Sequence, residues 1–338
     1  MDGRRCGVMA VAVPPVVRSK AGALGRVGRA WLDGLPDLVA ALGQRWAVTV
    51  ERTLAGGTSA FVALARTADG RPVVLKLGLP DPRFAGEIGT LVRAAGRGYV
   101  RLLAADVDRS AMLLEALGPS LRRSDLPPEA QLRVLCRLLG QAWAVPPLDS
   151  GPASVSASVS ASVSASVSVL DKASSLEDLV GRLWDELDRP CPERVVAQAL
   201  TFARRRAGAF DPGRCVQLHG DAAAANALRV RSPRPGAEAG YVFVDPDGFV
   251  GDAAYDAGVA LRDWCPQLMA ARDPVSLARG YCRLLAVGTG LDEQAVWEWG
   301  YLERVSTGLY AWSLGAEDLA RPMLATADRL FGGTLCGS

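Results

Sequence analysis

One histidine in 338 residues, and seven cysteines that fall in no CxxC or Cys/His spacing, exclude a zinc site built from the usual ligand sets. The cysteines, at 6, 136, 191, 215, 265, 282 and 336, are odd in number and read as reduced thiols of a cytoplasmic protein. No stretch approaches the roughly 18 apolar residues that a membrane span needs. Residues 8–17 follow Arg4-Arg5 as a signal peptide would, but two prolines and a short apolar length argue against one. An excess of either charge is lacking too. Thirty-eight basic residues stand against 36 acidic ones, and no basic run exceeds Arg204-Arg205-Arg206, so no nucleic-acid surface is marked. The remainder is ordinary globular composition, 49% hydrophobic and 22% charged, in a length that suits two lobes better than one core.

The single histidine, His219, falls inside the most informative stretch, residues 217–256. There Asp221 precedes Asn226 by five residues, a turn-rich gap follows, and Asp245 ends the apolar run Tyr241-Val242-Phe243-Val244. An acid and an amide on one short loop, with a second acid at a strand end, form the set that phosphoryl transfer uses. One carboxylate orients the attacking hydroxyl and accepts its proton, while the amide and the other carboxylate hold Mg²⁺ on the phosphates. Asp and Asn also serve as turn and cap residues, so the set gains weight only from what lies upstream.

Upstream, residues 48–77 read as strands: Val48-Thr49-Val50, Phe61 to Ala65, and Pro72 to Leu77 after the Asp69-Gly70 turn. Lys76, one of three lysines against 35 arginines, closes that last apolar run. A lone cation there is costly unless paired, and Glu87, eleven residues on and opening a helical stretch, is the expected partner. Strand Lys and helix Glu make the pair that positions nucleotide phosphates in kinases.

With both halves in view, the chain resembles the aminoglycoside/hydroxyurea resistance kinases, and most closely their streptomycin 6-phosphotransferase branch, over roughly residues 25–335. Besides LHGD…N and VDPDGFVGDAAYD, the stretches GRAWLDGLPDLVAALGQRW (28–46) and AGRGYVRLLAADVDRSAMLLEAL (95–117) carry the likeness. It implies an α+β, bilobal protein-kinase-like fold, with a small antiparallel β N-lobe and a mainly helical C-lobe. It implies ATP and Mg²⁺ as cofactors, Asp221 as catalytic base, Asn226 and Asp245 as metal ligands, and Lys76 with Glu87 on the phosphates. Residues 114–117 become the hinge, with Glu115 and Leu117 offering backbone to adenine, and Asp256 braces the catalytic loop. The acceptor would be a hydroxyl of an antibiotic such as streptomycin, a cation that calls for carboxylates; Asp247, Asp263, Glu298 and Glu303 are candidates. Two alternatives stay open: a kinase of another small alcohol or a hydroxyurea-like substrate, and a pseudokinase.

Departures from the family pattern shape the expectations. Gly56-Gly57-Thr58-Ser59 replaces a GxGxxG, so phosphate grip rests on backbone N–H groups and the Thr58 or Ser59 hydroxyl. Ala222 to Ala225 stands where the family writes Leu-His-Pro-Gly or similar. Ala223 lacks the Lys or His that can touch the moving phosphoryl, a loss of roughly ten- to a hundred-fold in rate, which a histidine at 223 is expected to restore. The Pro/Gly-rich 231–240 marks a surface hairpin turn. Along the chain we expect a disordered leader at 1–24, a nucleotide-binding N-lobe at 25–117, and a C-lobe at 118–338 with catalytic loop, metal site and substrate cleft. The Ser/Ala/Val tract 153–169 is a low-complexity insertion. Trp297, Trp299 and Trp312, at helical spacing, read as core. The protein is expected to be a cytoplasmic monomer that takes a small molecule, with no nucleic acid and no membrane.

Overall fold

The computed structural model describes residues 12–55, 59–81, 83–147 and 171–333, so Gly56, Gly57, Thr58 and the tract 153–169 lie outside it. At the Asp69-Gly70 turn, Gly70 takes φ +84° and donates to Thr67 O at 2.9 Å. This folds Ala60–Thr67 (β2) back onto Pro72–Gly78 (β3). Val48–Thr53 (β1) pairs the free edge of β2, Ala111–Glu115 (β5) pairs β3, and Leu102–Asp106 (β4) is outermost. The result is a five-stranded antiparallel sheet, ordered β1-β2-β3-β5-β4, with Lys76 opposite Val62 and Met112 on its central strand.

Period-2 alternation puts Phe61, Ala63, Leu75, Leu77 and Ala111 into one cluster with Leu35 and Leu42 of the helix Gly25–Arg45 (α2). The two leucines lie seven residues apart, two turns along one helix face. Upstream, the structure corrects the expectation of a disordered leader at 1–24, because Pro15–Ala23 is a helix (α1). Pro15 suits a first helical position, and Val17 and Ala21, four apart, are buried in a cluster with Leu79. A side chain at Gly28 would meet Ala21 O at 1.8 Å, so this glycine is what lets α1 and α2 approach so closely. Residues 1–11 lie outside the described chain. Arg83–Ala94 (α3) carries Glu87.

Residues up to 96, with 100–117, belong to this first compact unit; residues 97–99, 118–147 and 171–333 belong to a second. The second is mainly helical: Pro128–Trp143 (α4), Lys172–Glu186 (α5), Glu193–Gly208 (α6), Ala253–Arg262 (α7), Cys265–Ala270 (α8), Pro274–Thr289 (α9), Glu293–Ser313 (α10) and Glu317–Arg329 (α11). Asp171, Asp252, Asp273 and Asp292 cap four of these N-termini by accepting backbone N–H bonds. Helix α10 is buried on nearly every side, which suits the centre of a helical core rather than its surface. Trp297 and Trp299 are buried there, while Trp312 is half-buried beneath the Arg321 guanidinium. Two short antiparallel ladders complete the unit: Val216–Gln217 (β6) with Val250–Gly251 (β9), and Ala227–Arg229 (β7) with Tyr241–Phe243 (β8). Residues 231–240 connect β7 to β8, closed by Val230 N–H to Gly240 O at 3.0 Å. No helix among the described residues is long and apolar enough to cross a membrane.

Candidate active site

In the first unit, Lys76 Nζ lies 2.5 Å from Glu87 Oε1, and both residues are buried. Phe84, on the same helix as Glu87, sets its ring 5.7 Å from the ammonium. Two charges out of water are held only by close mutual geometry, and strand β3 and helix α3 supply it. Ser59 accepts a hydrogen bond from Lys20 Nζ at 3.1 Å. Glu115 ends β5; its Oε1 accepts from the Arg101 amide at 2.9 Å and its own amide donates to Arg101 O at 3.0 Å, so both ends of the residue are tied to the sheet. Leu117 is the last described residue of this unit.

In the second unit the loop after β6 is built on a buried acid. Asp256, on α7, accepts the His219 and Gly220 amides at 2.8 Å each and Trp143 Nε1 at 3.1 Å. Burial pushes its carboxyl above the ordinary range. His219 is fully buried; its Nε2 donates to Val244 O at 2.9 Å and its Nδ1 accepts from the Asp221 amide at 3.1 Å. The lone histidine is thus a structural clamp between loop and β8, flanked by Tyr99 and Phe243. Gly220 has φ +90°, and a Cβ there would meet Asp247 at 2.6 Å and the Phe249 ring at 2.9 Å. No other residue fits at both counts.

These constraints leave the Asp221 carboxylate about half exposed at the head of the loop. Asn226 Nδ2 donates to Asp221 O and Oδ2, both at 2.9 Å. Asn226 immediately precedes β7, Asp245 lies two residues past β8, and the Val244 amide donates to Asn226 O at 2.9 Å. The β7–β8 ladder therefore brings Asn226 and Asp245 to one end. Asp245 sits in the left-handed region, φ +58°, which Asp tolerates better than most residues. Since Asn226 uses its Nδ2 on Asp221, its Oδ1 is left to accept. An amide oxygen beside a carboxylate is the hard donor chemistry that Mg²⁺ takes. Among the described residues no cluster of three or more His, Cys, Asp or Glu forms a metal centre, so any ion here would rely on these two donors plus phosphate and water.

Sequence reading missed Arg262. From the end of α7 it donates to Asp221 Oδ1 at 2.6 Å, to Glu303 Oε2 at 2.9 Å and to Thr307 Oγ1 at 3.2 Å, with Asp263 at 3.4 Å. Partial withdrawal from water pushes the half-exposed Asp221 carboxyl up, but the Arg262 charge and hydrogen bond outweigh it and hold the group below the ordinary carboxylate range. In a chain with 35 arginines nothing local singles this one out. Two of the four carboxylates suggested for a cationic acceptor are already committed: Glu303 to Arg262, and Glu298, 1% exposed, to Arg205 and Arg206. Asp263 also faces Arg262, and Asp247 is tied to the loop through its amide, which donates to His219 O. The alanine loop departs from expectation as well. Ala222, Ala223 and Ala224 are buried, so a histidine at 223 would have to displace packed neighbours before it could reach a phosphoryl group.

Comparison with known proteins agrees with this arrangement. The family model described as aminoglycoside/hydroxyurea antibiotic resistance kinase matches residues 45–315. The chain is 29% identical over 320 residues to a streptomycin 6-kinase of Streptomyces glaucescens, covering 94% of this chain and 96% of that one. A hydroxyurea phosphotransferase of Kitasatospora aureofaciens is 39% identical over 102 residues, 30% of each chain. Among solved structures, the macrolide 2′-phosphotransferase of Brachybacterium faecium superposes with TM-score 0.52 at 17% identity, covering 86% of this chain and 98% of that one. The fold is thus that of the protein-kinase-like phosphotransferases. The chain belongs to the aminoglycoside/hydroxyurea antibiotic resistance kinase family.

Proposed function

We propose that this kinase transfers a phosphoryl group from ATP, with Mg²⁺, to a hydroxyl of an aminoglycoside such as streptomycin. One observation carries the reading: the Asp221 carboxylate stands half exposed on a rigid loop, with Asn226 and Asp245 gathered at one end of the adjoining ladder. In this reading Asp221 orients the acceptor hydroxyl and takes its proton. Its depressed basicity suits a group that positions the hydroxyl and receives the proton late, as a loose transition state allows. Mg²⁺, when bound, would neutralise charge on the phosphates, and Asn226 Oδ1 and Asp245 are the residues to hold it. Lys76, fixed by Glu87, would contact phosphate oxygens, Gly56 to Ser59 would cover them, and the backbone of Glu115 to Leu117 would pair with adenine.

We assign nucleotide binding to residues 25–117 and catalysis to 118–338, in a cytoplasmic monomer. The free state of all five described cysteines supports a reducing compartment. A hydroxyurea-like acceptor is the second reading, favoured by the 102-residue match to a hydroxyurea phosphotransferase. Purified protein with ATP, Mg²⁺ and separate samples of streptomycin, other aminoglycosides and hydroxyurea decides between them by mass spectrometry. A gain of one phosphoryl on streptomycin, lost by at least about a hundredfold in Asp221→Asn, is expected. Phosphorylation of hydroxyurea alone would replace the aminoglycoside reading. ATP binding with no phosphorylated acceptor would favour a pseudokinase.

A further inference from the structure

Arg304, in the middle of α10, is 1% exposed. A guanidinium does not escape burial by losing its proton, and a buried charge ordinarily requires a partner of opposite sign. Among the described residues, no carboxylate lies within ion-pair distance of it. Its Nη1 donates to Cys265 Sγ at 3.2 Å and its Nη2 to Leu261 O at 2.9 Å, while its Nε has no hydrogen-bond partner. Three residues earlier on the same face, Tyr301 is 2% exposed and its hydroxyl is likewise without a partner. Both side chains line one small cavity, walled by Leu261, Ala278, Trp297 and Leu330. Its volume, about 10 Å³, admits one water-sized occupant.

We propose that this cavity is a binding site for a small monovalent anion, chloride in solution, held by Arg304 Nε–H and Tyr301 O–H. A water molecule would accept from the same donors but would bring no negative charge, while Asp263, which acts on Arg304 from beyond ion-pair distance, is shared with Arg262. The apolar walls also give a water's own hydrogens little to bond. An anion needs donors only, and the cavity supplies two. Phosphate or sulfate would not fit the space. The site also adjoins, along both helices, the residues of the Arg262–Glu303 pair. Leu261, which accepts from Arg304, precedes Arg262, and Glu303, which accepts from Arg262, precedes Arg304. Filling the cavity would stiffen the α7–α10 contact from which Arg262 reaches Asp221.

The test is independent of the kinase reading, because it follows folding and ion density rather than turnover. At constant ionic strength, replacing sodium gluconate by sodium chloride should raise Tm by about 2–4 °C with saturation. Bromide-soaked crystals should show an anomalous peak between Arg304 and Tyr301. Tyr301→Phe removes one donor with little change in shape and should raise the half-saturating chloride concentration several-fold. Arg304→Met should abolish the effect, and if it does not fold, Tyr301→Phe and the bromide peak still decide. Equal Tm in chloride and gluconate, water in the cavity with no bromide signal, or an undiminished chloride effect in Tyr301→Phe would each overturn the proposal.

Discussion

Arg262 Nη2 lies 2.6 Å from Asp221 Oδ1, so the carboxylate at the head of the loop is one half of an ion pair. The other end of the same guanidinium is fixed on Glu303, which is buried. Asp221 is thereby aimed and charged by a helix residue 41 positions away.

Arg262→Gln should therefore move the acid limb of the kcat/KM profile to higher pH. The sign follows from Asp221 being depressed below its ordinary 3.8 in the folded chain. Such a group contributes stability present above its unfolded pKa and lost as pH falls through the folded one. The variant should lose that dependence below about pH 4. It should also lose about 3 kcal/mol near neutrality, because Glu303 is left buried without its cation. A pH–rate series and urea unfolding check both; an unmoved acid limb would detach Arg262 from the chemistry.

Asp245→Asn keeps a residue that tolerates φ +58°, so the thermal midpoint should hold. Mg·ATP affinity should fall at least tenfold, about 1.4 kcal/mol, since a hard cation loses its charged ligand. Titration calorimetry with and without Mg²⁺ reads this directly. Unchanged affinity would remove Asp245 from the metal.

Lys76→Met removes the cation 2.5 Å from the buried Glu87 carboxylate and should destabilise the fold by about 3 kcal/mol. Replacing both, Lys76→Met with Glu87→Leu, should recover most of that stability. Nucleotide affinity should stay low in both variants if the lysine serves phosphates. Recovery of ATP binding in the double variant would make the pair purely structural.

Ala223→His should destabilise the fold by about 1–3 kcal/mol, because the position is 3% exposed and extra volume must displace packed neighbours. Turnover should not rise. A variant both faster and equally stable would mean the alanine methyl faces open space.

Much of this was legible because local chemistry leaves a local mark. Asp69-Gly70 announces the β2–β3 hairpin, and leucine spacing announces α2. A lysine in an apolar strand announces a nearby acid. Helix α1 escaped because two prolines and scattered polar residues hide a stripe of only Val17 and Ala21. Arg262 escaped for another reason. Its partners lie 41 residues away on either side, at Asp221 and Glu303, and its own surroundings look like any helix end in an arginine-rich chain. Commitment of Glu298 and Glu303 to internal arginines was equally invisible, since the sequence does not say which acids face inward.

The loop from His219 to Asn226 is also nearly closed to mutational drift. Position 220 admits only glycine, 219 is clamped at both ring nitrogens, and 222 to 224 are buried alanines where added volume displaces packed neighbours. Selection for a new acceptor would find few viable single changes here. Adaptation of substrate range in this kinase has to proceed through residues outside the loop, with the reacting geometry inherited intact.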